Sequence, residues 1–254
     1  MMKKTLLAAA TASALVVSGG ALAAFADAPK DEGAGASAQL KITGTLTNTN
    51  PNWMWKIPAE SQAAVSDVAL NKIAGVVNGA NTEFAITKNP LLIIEGYMKT
   101  PSPKAGSGLT PVISVGDKNM AKDCGTSAGC VVSVTASDAR SNVGSVEVSL
   151  TVGAASAYHE VGGVAKIRKG GLSTADAVSV LTSNQADFEN SYKYPSDAPG
   201  GTMLSEYDAW LGTSNLSKVS DSRIVRMKSS KLVVPSNAVP ATWAATLPIT
   251  ISLK

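Results

Sequence analysis

The chain has 254 residues, 44% of them hydrophobic but only 5% aromatic, and a formal net charge of +3. So small a charge argues against nucleic acid or anionic lipid as the main partner. Beyond the N-terminal leader there is no run of about 18 apolar residues, which argues against a membrane-spanning helix.

The leader itself has the layout of a secretory signal, expected to occupy residues 1–23. Lys3 and Lys4 form its positive end, and Leu6 to Val17 is an apolar stretch too short to span a bilayer comfortably. Ala21-Leu22-Ala23 is a small-x-small cleavage site, and Ala24-Phe25-Ala26 is a second. Cleavage at the first leaves about 230 residues with a charge of about +1, because both lysines depart with the leader. That length supports one large β domain, or one domain carrying an insertion. Gly, Ser, Thr, Ala and Val dominate it, and turn residues recur, as in many-stranded antiparallel proteins.

Residues 24–46 form the expected N-terminal extension. Its first part, 27–37, is charged and then Gly/Ala-rich, and is expected to be disordered in an isolated subunit. Behind it, Ala34, Ala36, Ala38, Leu40, Ile42, Gly44 and Leu46 alternate with small or polar residues. Successive strand side chains point to opposite faces, so this pattern sets a row of small knobs against something buried. Nothing within hairpin distance offers it a partner. An exported chain whose leading strand seeks a distant groove points to assembly rather than catalysis.

Further strands are expected at Trp53 to Ile57, Glu83 to Thr87, Leu91 to Glu95 and Thr110 to Val115, with a Pro/Gly/Ser loop at 101–108. Cys124 and Cys130 enclose five residues. In an oxidising compartment such a pair forms a disulfide across a tight turn, worth roughly 2 kcal/mol at best for so short a loop. The alternative is a redox or metal site. It is disfavoured by the five-residue gap and by a single histidine, His159. Cys130 to Val134 and Gly144 to Val152 are the clearest central strands, and the second alternates, so one of its faces meets water.

The texture changes near Gly163. Ser173-Thr-Ala-Asp176 has a helix start, with a hydroxyl cap and an early acid, and Leu204 to Leu211 fits a second short helix. Residues 165–220 therefore read as an insertion into a β framework, which resumes at Arg223 to Met227 and Lys231 to Val234. At the C-terminus Leu247, Ile249, Ile251 and Leu253 alternate with Pro248, Thr250 and Ser252. Proline lacks a donor, so Pro248 belongs at an edge or a strand start. An apolar strand of this kind invites pairing with another chain.

Catalytic chemistry is thin. There is no GxSxG, HExxH, phosphate loop, calcium loop or cofactor motif. His159 is more economically a strand-surface residue than a triad member. Asp187, Glu189, Asp197, Glu206, Asp208 and Asp221 read as solvated loop acids, with a glycosidase pair as the alternative. Lys166, Arg168 and Lys169 read as an exposed face. Tyr192, Tyr194, Tyr207 and Trp210 concentrate aromatics in the insertion, either to stack on a sugar or partner, or to form a local core.

Several anchors, in order, carry a family likeness: Trp53-x-Trp55-Lys56; Asn89-Pro-Leu-Leu92 leading to Gly108-Leu-Thr-Pro-Val-Ile113; Gly144-Ser-Val-Glu-Val148 followed by Gly162-Gly163; and Asn237-Ala-Val239 through Trp243 to Leu247-Pro-Ile-Thr-Ile251. Through them the chain resembles the subunits of K88-type enterobacterial fimbriae, assembled by the chaperone–usher route. The resemblance implies an all-β, incomplete immunoglobulin-like sandwich completed by a donor strand. That fold would span residues 47–254 with the helical insertion at 165–220.

Ala34, Ala36, Ala38, Leu40 and Ile42 would be the donor strand. Leu247, Ile249, Ile251 and Leu253 would border the acceptor groove and the chaperone-held edge. The implied partners are a periplasmic chaperone, an outer-membrane usher and neighbouring subunits at the bacterial surface. In the family's major subunit the insertion carries receptor binding, so an adhesin using Tyr192, Tyr194, Tyr207 or Trp210 on a host glycan is the second reading. A secreted β-sandwich enzyme or inhibitor is the third.

Overall fold

The computed structural model describes residues 36–40, 53–87, 89–126, 128–139, 141–160, 165–184 and 203–253. The chain begins with β1 (Ala36–Leu40), β2 (Trp53–Lys56), α1 (Ala59–Ala64), β3 (Val76–Asn78) and β4 (Asn81–Thr87). It continues through β5 (Leu91–Met98), β6 (Ser102–Lys104), β7 (Pro111–Val115), β8 (Lys118–Asn119), α2 (Met120–Asp123) and β9 (Cys130–Ser137). Then come β10 (Asn142–Glu160), β11 (Ala165–Gly171), α3 (Thr174–Asn184), α4 (Leu204–Thr213), β12 (Leu216–Pro235), β13 (Ala244–Ala245) and β14 (Leu247–Leu253).

The architecture is an all-β sandwich with a small helical insertion. One sheet has the order β1-β14-β7-β8. The larger runs β13-β9-β10-β12-β4-β3, with β11 on β10, β5 and β6 on β12, and β2 on β5. Ile113, Val115, Leu247, Ile249 and Ile251 of the small sheet share one core with Val132, Val146, Val148 and Leu232 of the large one. The strand that completes the small sheet beyond β14 is the chain's own β1.

β10 and β12 are the spine, 19 and 20 residues long, paired from Ser145↔Val233 to Glu160↔Leu216. The two segments expected at Arg223 to Met227 and Lys231 to Val234 are therefore one strand. The intervening Lys228-Ser-Ser230 does not break it, and a register shift at Ser149/Leu150 absorbs the irregularity.

Past Leu150 the spine outruns the small sheet and the helices cover it. Alternation then assigns the faces. Ala155, Ala157 and Ile224 pack on Ala177, Val180 and Leu181 of α3, while Ala154 and Tyr158 join Leu204, Tyr207 and Leu211 of α4 in the main core. Residues 165–171 and 216–220, at either end of the expected insertion, lie in the large sheet; α3 and α4 are the added pieces.

Two local devices explain motifs noted above. Trp53 and Trp55, two apart on β2, stack at 4.8 Å and are fully buried. Trp55 sits opposite Gly96, where an added Cβ would lie 2.0 Å from its ring, so the tryptophan fits because the glycine has no side chain. Cys124, at the end of α2, is disulfide-bonded to Cys130, the first residue of β9, as expected.

Candidate functional site

β14 forms because its sequence alternates branched apolar residues with proline, threonine and serine. Leu247, Ile249 and Ile251 turn inward and are almost fully buried, Pro248 and Thr250 face water, and Leu253 is half-buried. On one side β14 pairs with β7, Ile249 opposite Val115 and Ile251 opposite Ile113. The Pro248 carbonyl accepts from the Gly116 amide at 2.8 Å. Amide and carbonyl of one strand residue point the same way, so the missing donor of Pro248 faces the β7–β8 turn. The other side of the strand thus loses no hydrogen bond to the proline.

That other side holds β1. It runs antiparallel to β14 with Ala36 opposite Ile251, Ala38 opposite Ile249 and Leu40 opposite Leu247. The strand expected to lack a local partner pairs with one some 200 residues away, on the same chain. The leading strand is seated at home, whereas the sequence reading placed it in a neighbour. Ala34 and Ile42, the outer members of the expected donor strand, and the segments 27–35 and 41–47 lie outside the described residues.

Beside Leu247 the core is hollow. A cavity of about 50 Å3 is lined by Val65, Val146, Val148, Trp243, Ala245 and Leu247 among others. A cleft of about 500 Å3 follows, walled by Leu70, Lys72, Phe84, Leu232, Val239 and again Trp243.

The second candidate region lies under α4. Tyr207 is fully buried; its hydroxyl donates to Asp221 at 2.6 Å and touches the Ser156 hydroxyl, which also donates to Asp221 at 2.8 Å. Arg223 donates from Nε to the other Asp221 oxygen at 2.7 Å and from Nη1 to Asp208 at 2.5 Å. Burial pushes the Asp221 carboxyl up, with Arg223 and the two hydroxyls pulling the other way. Burial, and then the charge of Asp221, hold the Tyr207 hydroxyl well above its ordinary value. Burial works against the Arg223 charge, but Asp221 and Asp208 prevail and raise its pKa.

Trp210 is half-buried, edge-on to Tyr158 at 5.1 Å and covered by the Arg168 guanidinium at 4.5 Å. Asp208, Asp221 and Arg168 are thus packed against partners and are not loose surface charges. Tyr192 and Tyr194 lie outside the described residues, as do Asp187, Glu189 and Asp197. His159 is half-buried on β10, opposite Ala165 and Ser217.

The family profile described as "Fimbrial, major and minor subunit", of K88 type, matches residues 2–254. The chain belongs to the K88-type fimbrial subunit family. Its members are structural subunits rather than enzymes, joined with other subunits in a fimbrium at the cell surface. A comparison with curated proteins found no match.

Proposed function

We propose that this fimbrial subunit polymerises head to tail, each copy lending its N-terminal arm to the β14 edge of the next. The register of β1 on β14 carries the reading. Ala36, Ala38 and Leu40 stand opposite three buried residues of a strand whose second edge is complete in hydrogen-bonding groups. Every copy has the same β14, so an arm that suits its own strand suits a neighbour's equally, and exchanging identical elements is an easy route to assembly. Strand addition draws affinity from the main chain and register from alternate side chains. Because the arm of one copy enters another that passes its own arm onward, the contact is head-to-tail and builds an open filament.

The leader sequence supports export through the periplasm. There a chaperone would hold the β14 edge, and an outer-membrane usher would then join subunits. The glycan-binding reading draws no support from α4, where Tyr207 is sealed in the core and Trp210 is overlaid by Arg168.

A labelled peptide of residues 34–46, offered to the full chain at millimolar concentration so that it matches the effective concentration of the chain's own tethered arm, tests the proposal. Saturable capture, abolished when the peptide carries Ala38→Asp or the chain carries Ile249→Asp, is the expected result. Failure of the unaltered chain to take up the unaltered peptide over days would remove strand exchange as the mechanism.

A further inference from the structure

We infer that Ile73, Val76 and Val77 form a docking surface for the body of a second copy of this chain, the one whose arm occupies the β14 edge. The inference rests on the donor-strand reading and adds a second contact to it. Ile73 is 92% exposed, and Val76 and Val77 are 67% and 69% exposed. The other exposed large hydrophobics among the described residues, Val131, Leu172 and Met203, are far apart in sequence, whereas these three fall within five residues. Val76 and Val77, consecutive on β3, flank its two faces and make an apolar edge. Clustered apolar exposure of this kind marks interaction sites, and single exposed residues do not. Ile73 lies on a short 3-10 turn and the valines on β3, which among the described residues pairs with β4 alone and so ends its sheet.

The direction of the arm decides what meets this surface. A donor arm in the register of β1 brings its Leu40 to Leu247 of the acceptor and leaves from that end. Twelve residues then separate Leu40 from Trp53, where the donor's next described strand begins, a reach of at most about 47 Å. The donor's body is therefore held off the Leu247 end of the acceptor. The patch stands at that end. Trp243 walls both the cavity at Leu247 and the cleft that contains Lys72. The Lys72 ammonium donates to the Val239 carbonyl at 3.2 Å, tying the turn that bears Ile73 to the segment leading into β14. Strand exchange thus carries a second copy to the apolar edge.

The test compares three full chains: unaltered, Ile73→Glu/Val77→Glu, and Val131→Glu as an exposed control elsewhere. Light scattering and electron microscopy give the concentration at which fibres form, and capture of the labelled 34–46 peptide reports the β14 edge separately. The expected result is that Ile73→Glu/Val77→Glu raises the fibre-forming concentration at least tenfold, with peptide capture unchanged and Val131→Glu assembling normally. Fibres at an unchanged concentration would overturn the docking surface while leaving strand exchange standing. So would an equal defect in Val131→Glu, which would trace the effect to charge alone. If the unaltered chain captures no peptide, the donor-strand reading fails and takes this inference with it.

Discussion

Replacing Arg223 by methionine isolates the energetic role of the buried network. The guanidinium is 1% exposed and bonds Asp221, which is 0% exposed, and Asp208. Methionine keeps most of the volume but strands the Asp221 carboxylate without its cation. Breaking one partner of a buried ion pair costs about 3–5 kcal/mol, which for a domain of this size lowers Tm by roughly 6–20 °C. The loss has a pH signature. Burial already raises the Asp221 pKa above its ordinary 3.8, and removing Arg223 raises it further. Above that ordinary value the unfolded carboxyl gives up a proton that the folded variant retains. Stability of Arg223→Met therefore falls as pH rises through the folded pKa, and the deficit against the parent shrinks toward acid. The double variant Asp221→Leu/Arg223→Met removes both charges and is expected to recover most of the loss. Urea unfolding of the three proteins from pH 4 to 8 measures this. A deficit below about 1 kcal/mol, or one equal at all pH values, would refute the assignment of Arg223 as the cation that makes this interior tolerable.

Gly96→Ala places a Cβ 2.0 Å from the Trp55 ring; overpacking of this kind costs about 1–3 kcal/mol, visible as a lower Tm and an altered tryptophan near-ultraviolet signal. The Tyr207 hydroxyl, held well above its ordinary 10.0, keeps its proton when the unfolded tyrosine has lost its own. Stability should therefore fall as pH rises past 10, by up to about 1.4 kcal/mol per unit, and Tyr207→Phe should flatten that slope in melting curves from pH 9 to 11.

Local pattern made much of this legible. The alternation at Leu247 to Leu253 and at Gly144 to Leu150 gives strands with one wetter face, although Thr151, next on that face, is buried against Ser173. The hydroxyl–acid start at Ser173 gives α3. What escaped depends on distance in sequence or on cover. The partner of β1 lies about 200 residues away, and no hairpin signal can name it. The second half of β10, Gly153-Ala-Ala-Ser-Ala157, lacks alternation because α3 and α4 bury both of its faces. Its run of small residues was the available signal, since helices pack closely only on such a surface. Ser220-Asp-Ser-Arg223 is polar in sequence; α4, laid over Asp221 and Arg223 with Tyr207 and Asp208, and α3, whose Ala177 carbonyl accepts from the Ser222 hydroxyl, turn it into core.

The seating of β1 on its own chain sets a condition on assembly. An arm makes the same strand contacts whether it folds home or enters a neighbour, so those contacts cannot decide between monomer and fibre. The tether does. Twelve residues between β1 and β2 give the arm an effective concentration of order millimolar at its own groove. Against subunits at micromolar concentration the closed form leads by about a thousandfold, or about 4 kcal/mol. A fibre must regain that from contacts the monomer lacks. At about 25 cal/mol per Å2 the requirement is about 160 Å2 of buried apolar surface, of the order that three exposed aliphatic side chains present. On the proposed strand exchange, Ile73, Val76 and Val77 would stand where the arm's direction delivers the second subunit. A chaperone holding β14 before the arm closes would relieve the same competition kinetically, and the two devices predict different behaviour. Purified subunits that assemble unaided above a threshold concentration point to the apolar patch, whereas a threshold that vanishes only with the chaperone present points to capture of the open edge.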